Sequence, residues 1–180
     1  MLAALPLLLA LFFGAARAQQ PITVGAPALA FSLPAINEEA AVAIVRQRTV
    51  ILGEMVGIQP AHPASGVVLY FFNRPNGGEG LRPLNNLAKH YKSANLRIIG
   101  ISIDPEPEAA DWIRALKLEY PVLKDNHRIV ADRYSVRETP MVVLIDAQGL
   151  VFSAGAPATM EVETVLDSQI KVMLGEIPPE

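Results

Sequence analysis

The fold is indicated most directly by VVLYFF at residues 67–72. Six consecutive apolar and aromatic residues are typical of a strand that is buried on both faces. A turn rich in Gly and Pro follows over Asn73–Gly80, and a helical pattern begins at Leu81. A buried strand that leads through a tight turn into a helix indicates an α/β architecture.

Two further segments extend this pattern along the chain. LRIIGISID at 96–104 predicts a second strand that ends in an acidic turn. YSVRETP at 134–140 runs into MVVLIDAQGLV at 141–151, in which Asp146–Gly149 predicts the turn of a hairpin. The sequence therefore predicts a central mixed β-sheet with helices on both faces.

The remaining elements are shorter or less strongly patterned. Phe31–Pro34 predicts a first edge strand, Pro121–Leu123 a short strand and Ile129–Ala131 a short helix. Apolar residues at helical spacing predict three further helices. These residues are Leu81, Leu84, Leu87, Ala88 and Tyr91; then Ala109, Trp112, Ile113 and Leu116; then Val162, Val165, Leu166, Ile170, Met173 and Leu174. Thr159 can cap the start of the last helix, and Gly175 can end it.

The order of these segments resembles the redoxin branch of the thioredoxin-fold superfamily. That branch includes the alkyl hydroperoxide reductase/thiol-specific antioxidant peroxiredoxins and the TlpA-like thiol oxidoreductases. The resemblance covers roughly residues 24–154. It implies one thioredoxin-like domain over 19–180, built as a three-layer sandwich. It also implies that the Thr139–Pro140 bond is cis and that this pair lines a peptide-binding edge facing the turn at 73–80.

The chain contains no cysteine, so the chemistry of that branch is missing. A TlpA-like CxxC pair falls on Asn76 and Glu79, or on Pro75 and Gly78. The peroxiredoxin Pro, Thr and Cys positions fall on Asn73, Gly77 and Gly80. We therefore expect a degenerate active-site loop with no catalytic residue, formed by Asn73, Arg74, Pro75, Asn76, Gly77, Gly78, Glu79 and Gly80. Without a thiol, the chain can form neither a disulfide nor a sulfenic acid.

The N-terminus reads as a signal peptide at residues 1–18. An apolar run leads to Ala16-Arg17-Ala18, an A-x-A cleavage pattern, although no Lys or Arg precedes the run. The run is too short for a comfortable transmembrane span. We expect cleavage after Ala18, which would leave a periplasmic or secreted protein with no transmembrane anchor.

Composition limits the partners. The 180 residues carry a net charge of −3 and no basic run, which argues against nucleic acid. His62, His90 and His127 follow no metal-binding spacing, so we predict no metal and no cofactor. The backbone N–H groups of Asn76–Gly80, flanked by Arg74 and Arg82, could bind an anion, but the charge of Glu79 and the missing P-loop spacing favour a plain turn.

Two functions remain. The first is a non-catalytic thioredoxin-like domain, a pseudoenzyme that binds an envelope protein or peptide. Its surface would be the old active-site face with Thr139 and Pro140, or the Pro-rich loop at 58–66. The alternative is a redoxin-type oxidoreductase or peroxidase-related antioxidant protein that acts with the thiol of a partner. Binding is favoured because the sequence shows no activated nucleophile beside a base.

Overall fold

The structure is a computed structural model that describes residues 22–104, 108–157 and 162–178. The predicted signal peptide and the predicted cap Thr159 lie outside these residues, as does the side chain of Ala109. The described residues form the following elements, in chain order. They are β1 (Ser32–Pro34), α1 (Glu38–Val45), β2 (Thr49–Ile51), β3 (Gly66–Phe72), α2 (Leu81–His90), β4 (Leu96–Ser102), α3 (Glu108–Ala115), β5 (Val122–Lys124), α4 (Ile129–Arg133), β6 (Met141–Asp146), β7 (Val151–Gly155) and α5 (Val162–Met173).

The five main strands form one mixed sheet in the order β5-β4-β3-β6-β7. β3 pairs parallel with β4 and antiparallel with β6, so the stretch at 67–72 lies at the centre of the sheet. The predicted edge strand at 31–34 forms outside this sheet. As β1 it pairs with β2, and a single bridge between Ala35 and Leu123 links it to β5.

Side chains of β3 alternate between two hydrophobic cores, which is why every residue of the strand is buried. Val67, Leu69 and Phe71 face a core that α1 and α4 complete. Val68, Tyr70 and Phe72 face a second core that α2, α3 and α5 complete. The predicted mixed sheet with helices on both faces is therefore confirmed.

Most of the predicted helical faces are present. In α2 the buried residues are Leu81, Leu84 and Leu87, as the spacing predicts. The predicted helix α3 is also present, with Ile113 buried and with Trp112 and Leu116 partly covered by the same core. In α5 the buried face consists of Val162, Leu166 and Ile170. Gly175 follows α5 with a φ of +75°, in the left-handed conformation that ends helices.

The direction of β3 separates the two candidate surfaces. The turn at 73–80 follows the last residue of β3, whereas the loop at 58–66 leads into its first residue, Gly66. Seven residues of strand span roughly 20 Å, so the two surfaces lie at opposite ends of the sheet. The hairpin turn between β6 and β7 lies at the same end as the loop at 58–66, because Asp146 pairs with Gly66. Among the described residues, no helix is long and apolar enough to cross a membrane.

A carboxylate joins α2 to α5. The Tyr91 hydroxyl donates to Asp167 Oδ1 at 2.6 Å, and Lys171 Nζ lies 2.6 Å from Asp167 Oδ2. Burial alone would raise the pKa of Asp167, but the hydrogen bonds from Lys171 and Tyr91 outweigh it and lower this pKa. Burial and the hydrogen bond to Asp167 raise the pKa of Tyr91.

We expect Asp167→Asn to lower the free energy of unfolding at neutral pH and to lose this effect in acid. A carboxylate whose pKa is lowered in the folded state contributes stability above its unfolded pKa of 3.8, and that contribution disappears as the pH falls through the folded pKa. Urea unfolding from about pH 7 to about pH 2 measures the difference. Glu163→Gln on the same helix is the control. An equal loss at every pH would contradict the prediction.

Candidate functional site

The turn that follows β3 is held closed by its own asparagines. Asn73 and Asn76 exchange two backbone hydrogen bonds, of 3.2 and 3.1 Å. The Asn73 side-chain oxygen accepts the Asn76 N–H at 2.9 Å, an Asx turn. That oxygen also accepts a hydrogen bond from the Thr139 hydroxyl at 3.2 Å. The turn is therefore tied to the residue before Pro140, although the two are far apart in sequence.

Tyr70 supports the turn from beneath. Its ring is fully buried and stacks on Phe72, with 5.9 Å between ring centroids. The hydroxyl donates to the Gly77 carbonyl at 2.8 Å. Burial raises the pKa of Tyr70, and the nearby charge of Glu79 raises it further, so the hydroxyl remains a donor.

The close packing of Tyr70 and Pro140 against the turn requires glycine at two positions. A Cβ at Gly80 would overlap the Tyr70 hydroxyl and would lie 2.8 Å from Cζ of the same ring. Gly77 has a φ of +99°, and a Cβ there would lie 2.9 Å from Cβ of Pro140. Gly77 and Gly80 are the positions onto which the peroxiredoxin Thr and Cys fall. The space that a catalytic side chain would need at Gly80 is thus occupied by Tyr70.

Trp112 closes the other flank of the turn. A Cβ at Gly78 would lie 3.0 Å from the edge of the Trp112 ring. The guanidinium carbon of Arg74 lies 5.7 Å from the centroid of that ring, a cation–π contact. The Arg74 N–H donates to Asp104 Oδ2 at 2.8 Å, which holds the exposed part of the turn against the end of β4.

The Thr139–Pro140 peptide bond is cis, and Pro140 contacts the turn at Gly77. The resemblance to the redoxin branch implied this cis bond and its position beside the turn. A cleft of about 380 Å³ opens beside Thr139. Its lining residues are Asn73, Asn76, Ile103, Arg128, Arg137, Glu138 and Thr139.

Sequence reasoning missed four of the lining residues, namely Ile103, Arg128, Arg137 and Glu138. Arg128 adopts a φ of +55° and donates from Nη2 to the Val136 carbonyl at 2.8 Å, and its Nε lies 3.4 Å from Asp132. Arg137 is exposed. The signal that could have found the last three is topological: β6 runs antiparallel to β3, so the residues before β6 must return to the end of β3 where the turn begins.

The other candidates do not join this site. No group of three or more His, Asp or Glu side chains in the described part of the chain is placed to hold a metal ion. Gly78–Gly80 forms a single 3-10 turn against Tyr70 and Trp112. The loop at 58–66 lies at the opposite end of the sheet, where the side chain of Ile58 is 96% exposed.

The five-stranded mixed sheet, its helical layers and the turn beside a cis-proline define a thioredoxin-like domain. The chain belongs to the AhpC/TSA family, whose sequence model matches residues 24–154.

Solved structures share the fold at low sequence identity. A Chlorobium tepidum protein assigned as the thiol:disulfide interchange protein DsbE superposes with a TM-score of 0.67 at 23% identity, over 86% of this chain and 99% of that chain. Thioredoxin peroxidase I from Plasmodium yoelii superposes with a TM-score of 0.65 at 18% identity, over 86% of this chain and 92% of that chain. The mitochondrial 2-Cys peroxiredoxin from Plasmodium falciparum superposes with a TM-score of 0.58 at 20% identity, over 87% of this chain and 100% of that chain. No curated protein matches the chain.

We expect Gly80→Ala to lower the free energy of unfolding by about 1–3 kcal/mol, because the added methyl group overlaps Tyr70 in a packed site. The cost should shrink in a Tyr70→Leu background, which removes the opposing ring atoms. Urea denaturation of the two single variants and the double variant measures the coupling. Gly53→Ala is the matched control, since Gly53 also lies in a 3-10 turn but its added Cβ would meet nothing within 4 Å. An unchanged cost in the Tyr70→Leu background would contradict this explanation.

Proposed function

We propose that this protein is an exported, non-catalytic thioredoxin-like domain that binds an extended peptide or protein segment of the cell envelope. The observation that carries the proposal is the cleft beside Thr139, which is lined mainly by amide, charged and hydroxyl side chains. The conclusion rests on this site and not on the fold, since one fold serves many functions.

The backbone that precedes β6 offers an edge for strand addition. Met141 opens β6 and pairs with Phe71. Among the described residues, the backbone groups of Arg137, Glu138 and Thr139 make no hydrogen bond. An extended peptide can pair with such groups, and side-chain pockets alongside then supply specificity.

The polar lining suits a peptide better than an apolar small molecule. Asn73 and Asn76 of the turn line the cleft together with Arg128, Arg137 and Glu138. Small-molecule sites are lined mainly by apolar and aromatic side chains. Mixed amide and charged groups instead match the backbone and polar side chains of a peptide.

The site supports binding without thiol chemistry in this chain. Nucleophilic catalysis by a thioredoxin-like domain needs a thiolate at the start of the helix after the central strand. The chain has no cysteine, and Tyr70 fills the space beside Gly80. An intact turn and an open cleft therefore remain as the working parts.

We expect peptides selected from a random-sequence phage library to bind at this cleft. In amide NMR spectra, the peaks of Asn76, Glu138 and Thr139 should move on titration. Arg137→Ala and Asn76→Ala should each weaken the Kd by about tenfold, the loss of one hydrogen bond or charge contact.

The matched control for peptide binding is Ile58→Ser, at the opposite end of the sheet, which should leave the Kd unchanged. If Ile58→Ser weakens binding and the two cleft variants do not, the loop at 58–66 is the working surface and the cleft assignment is wrong.

We expect the protein recovered from the periplasm or medium to begin at Gln19, as measured by intact mass. Signal peptidase needs small residues at both Ala positions of Ala16-Arg17-Ala18, so Ala18→Trp should leave the precursor uncut. Arg17→Gln, at the unrestricted middle position, should be cut normally. A protein that begins at Met1 and stays in the cytosol would contradict export.

A further inference from the structure

Arg97 is a half-buried cation in a strand that is otherwise buried. It is the second residue of β4, and every other residue of that strand is buried. Its side chain lies on the same face of the sheet as Ile99 and Ile101, which are fully covered by the core beneath α1 and α4. A charge at such a place is unfavourable unless a partner compensates it.

The described residues do not supply that partner. Nε of Arg97 is buried and has no hydrogen-bond acceptor. None of the ion pairs within 4.0 Å in the described part of the chain includes Arg97. Burial lowers the pKa of Arg97, as expected for a cation that has lost water and gained no counter-charge.

A small cavity lies beside this side chain. It measures about 100 Å³, well above the roughly 10–15 Å³ that one water molecule needs. It opens at the free edge of β4, because β5 pairs with β4 only from Gly100 onward. Ile44 of α1 and Lys92, just after α2, contribute to its wall.

Two cationic side chains that line the cavity are available to bind an anion. Lys92 and Arg97 both line it. The one carboxylate in its wall belongs to Glu119, and that carboxylate already pairs with Lys89 at 3.5 Å. The cavity is therefore a small, partly enclosed space with a net positive lining.

We infer that this cavity binds a small oxyanion of the phosphate class, held by the guanidinium of Arg97 and the ammonium of Lys92. A guanidinium offers donors in a planar fork that matches two oxygens of a phosphate, and a lysine adds a point charge. The ligand supplies the counter-charge that the chain lacks. Because the cavity is open on one side, the phosphate can be a free ion or the end of a phosphate ester. The site lies at the amino end of β4, away from the cleft beside Thr139, so it stands independently of the proposed peptide binding.

Thermal unfolding of the mature protein in low-millimolar inorganic phosphate tests this site. Sodium chloride of equal ionic strength gives the baseline. The midpoint temperature of the wild type should rise and then saturate, as for a ligand that binds only the folded state. Arg97→Met should show no saturable rise. In phosphate-free buffer this variant should be at least as stable as the wild type, because it replaces an uncompensated cation with an apolar chain.

Arg48→Met is the matched control, since it removes the same charge from an exposed side chain and should keep the saturable rise. Phosphate also stabilises proteins without binding, by exclusion from their surface. An equal rise in the wild type and Arg97→Met would therefore overturn the proposal.

Two further measurements keep the test decisive. Glycerol phosphate in place of inorganic phosphate distinguishes the sources: a saturable rise with both assigns the site to phosphate esters as well as the free ion, and a rise with inorganic phosphate alone assigns it to the free ion.

If Arg97→Met does not fold, broadening of the ³¹P signal of phosphate by the wild type, reduced by Lys92→Met, supports the site. Absence of broadening overturns it.

Discussion

An unpaired polar group in a strand that is buried on both faces is energetically costly. This constraint determines how β3 is connected to the turn that follows it. β3 is covered on both faces, so its residues must be apolar or must hydrogen-bond internally. Tyr70 carries the one side-chain polar group of the strand, and its hydroxyl finds its acceptor in the Gly77 carbonyl. That single contact joins the core to the turn at 73–80, and it leaves no room for a side chain at Gly80.

The contact between Tyr70 and the turn occupies the place where thiol enzymes of this fold carry their reactive side chain. Thiol enzymes of this fold need a small, reactive side chain where the helix after the central strand begins. Here a large phenol approaches that place from below, and Trp112 approaches the turn from the side. A cysteine at Gly80 could be accommodated only if Tyr70 changed as well. The turn is thus a closed structural unit whose outer residues, Arg74 to Asn76, are exposed.

The sequence allowed the sheet to be predicted because its central strands carry long apolar runs. The run at 67–72 and the hairpin around Asp146–Gly149 are strong signals, and both formed as predicted. The pairing of β1 with β2 was not predicted, since each strand has only three residues and its partner is set by tertiary packing. Tyr70 reads as an ordinary core aromatic, because no local pattern reveals where a hydroxyl finds its acceptor. Arg128 and Arg137 were missed for a similar reason: only the return of the chain to the end of β3 brings them to the turn.

Hydrogen bonds within the chain hold several of the residues around the cleft. On one side, Asn73 and Tyr70 hold the turn. On the other, the buried carboxylate of Asp125 accepts the N–H groups of Val130 and Ala131 at 3.2 and 2.7 Å, which anchors the start of α4. Arg128 sits directly before that helix and is held in turn by the Val136 carbonyl. If the cleft binds an extended segment, as proposed, its ordered parts reduce the conformational entropy that is lost on binding.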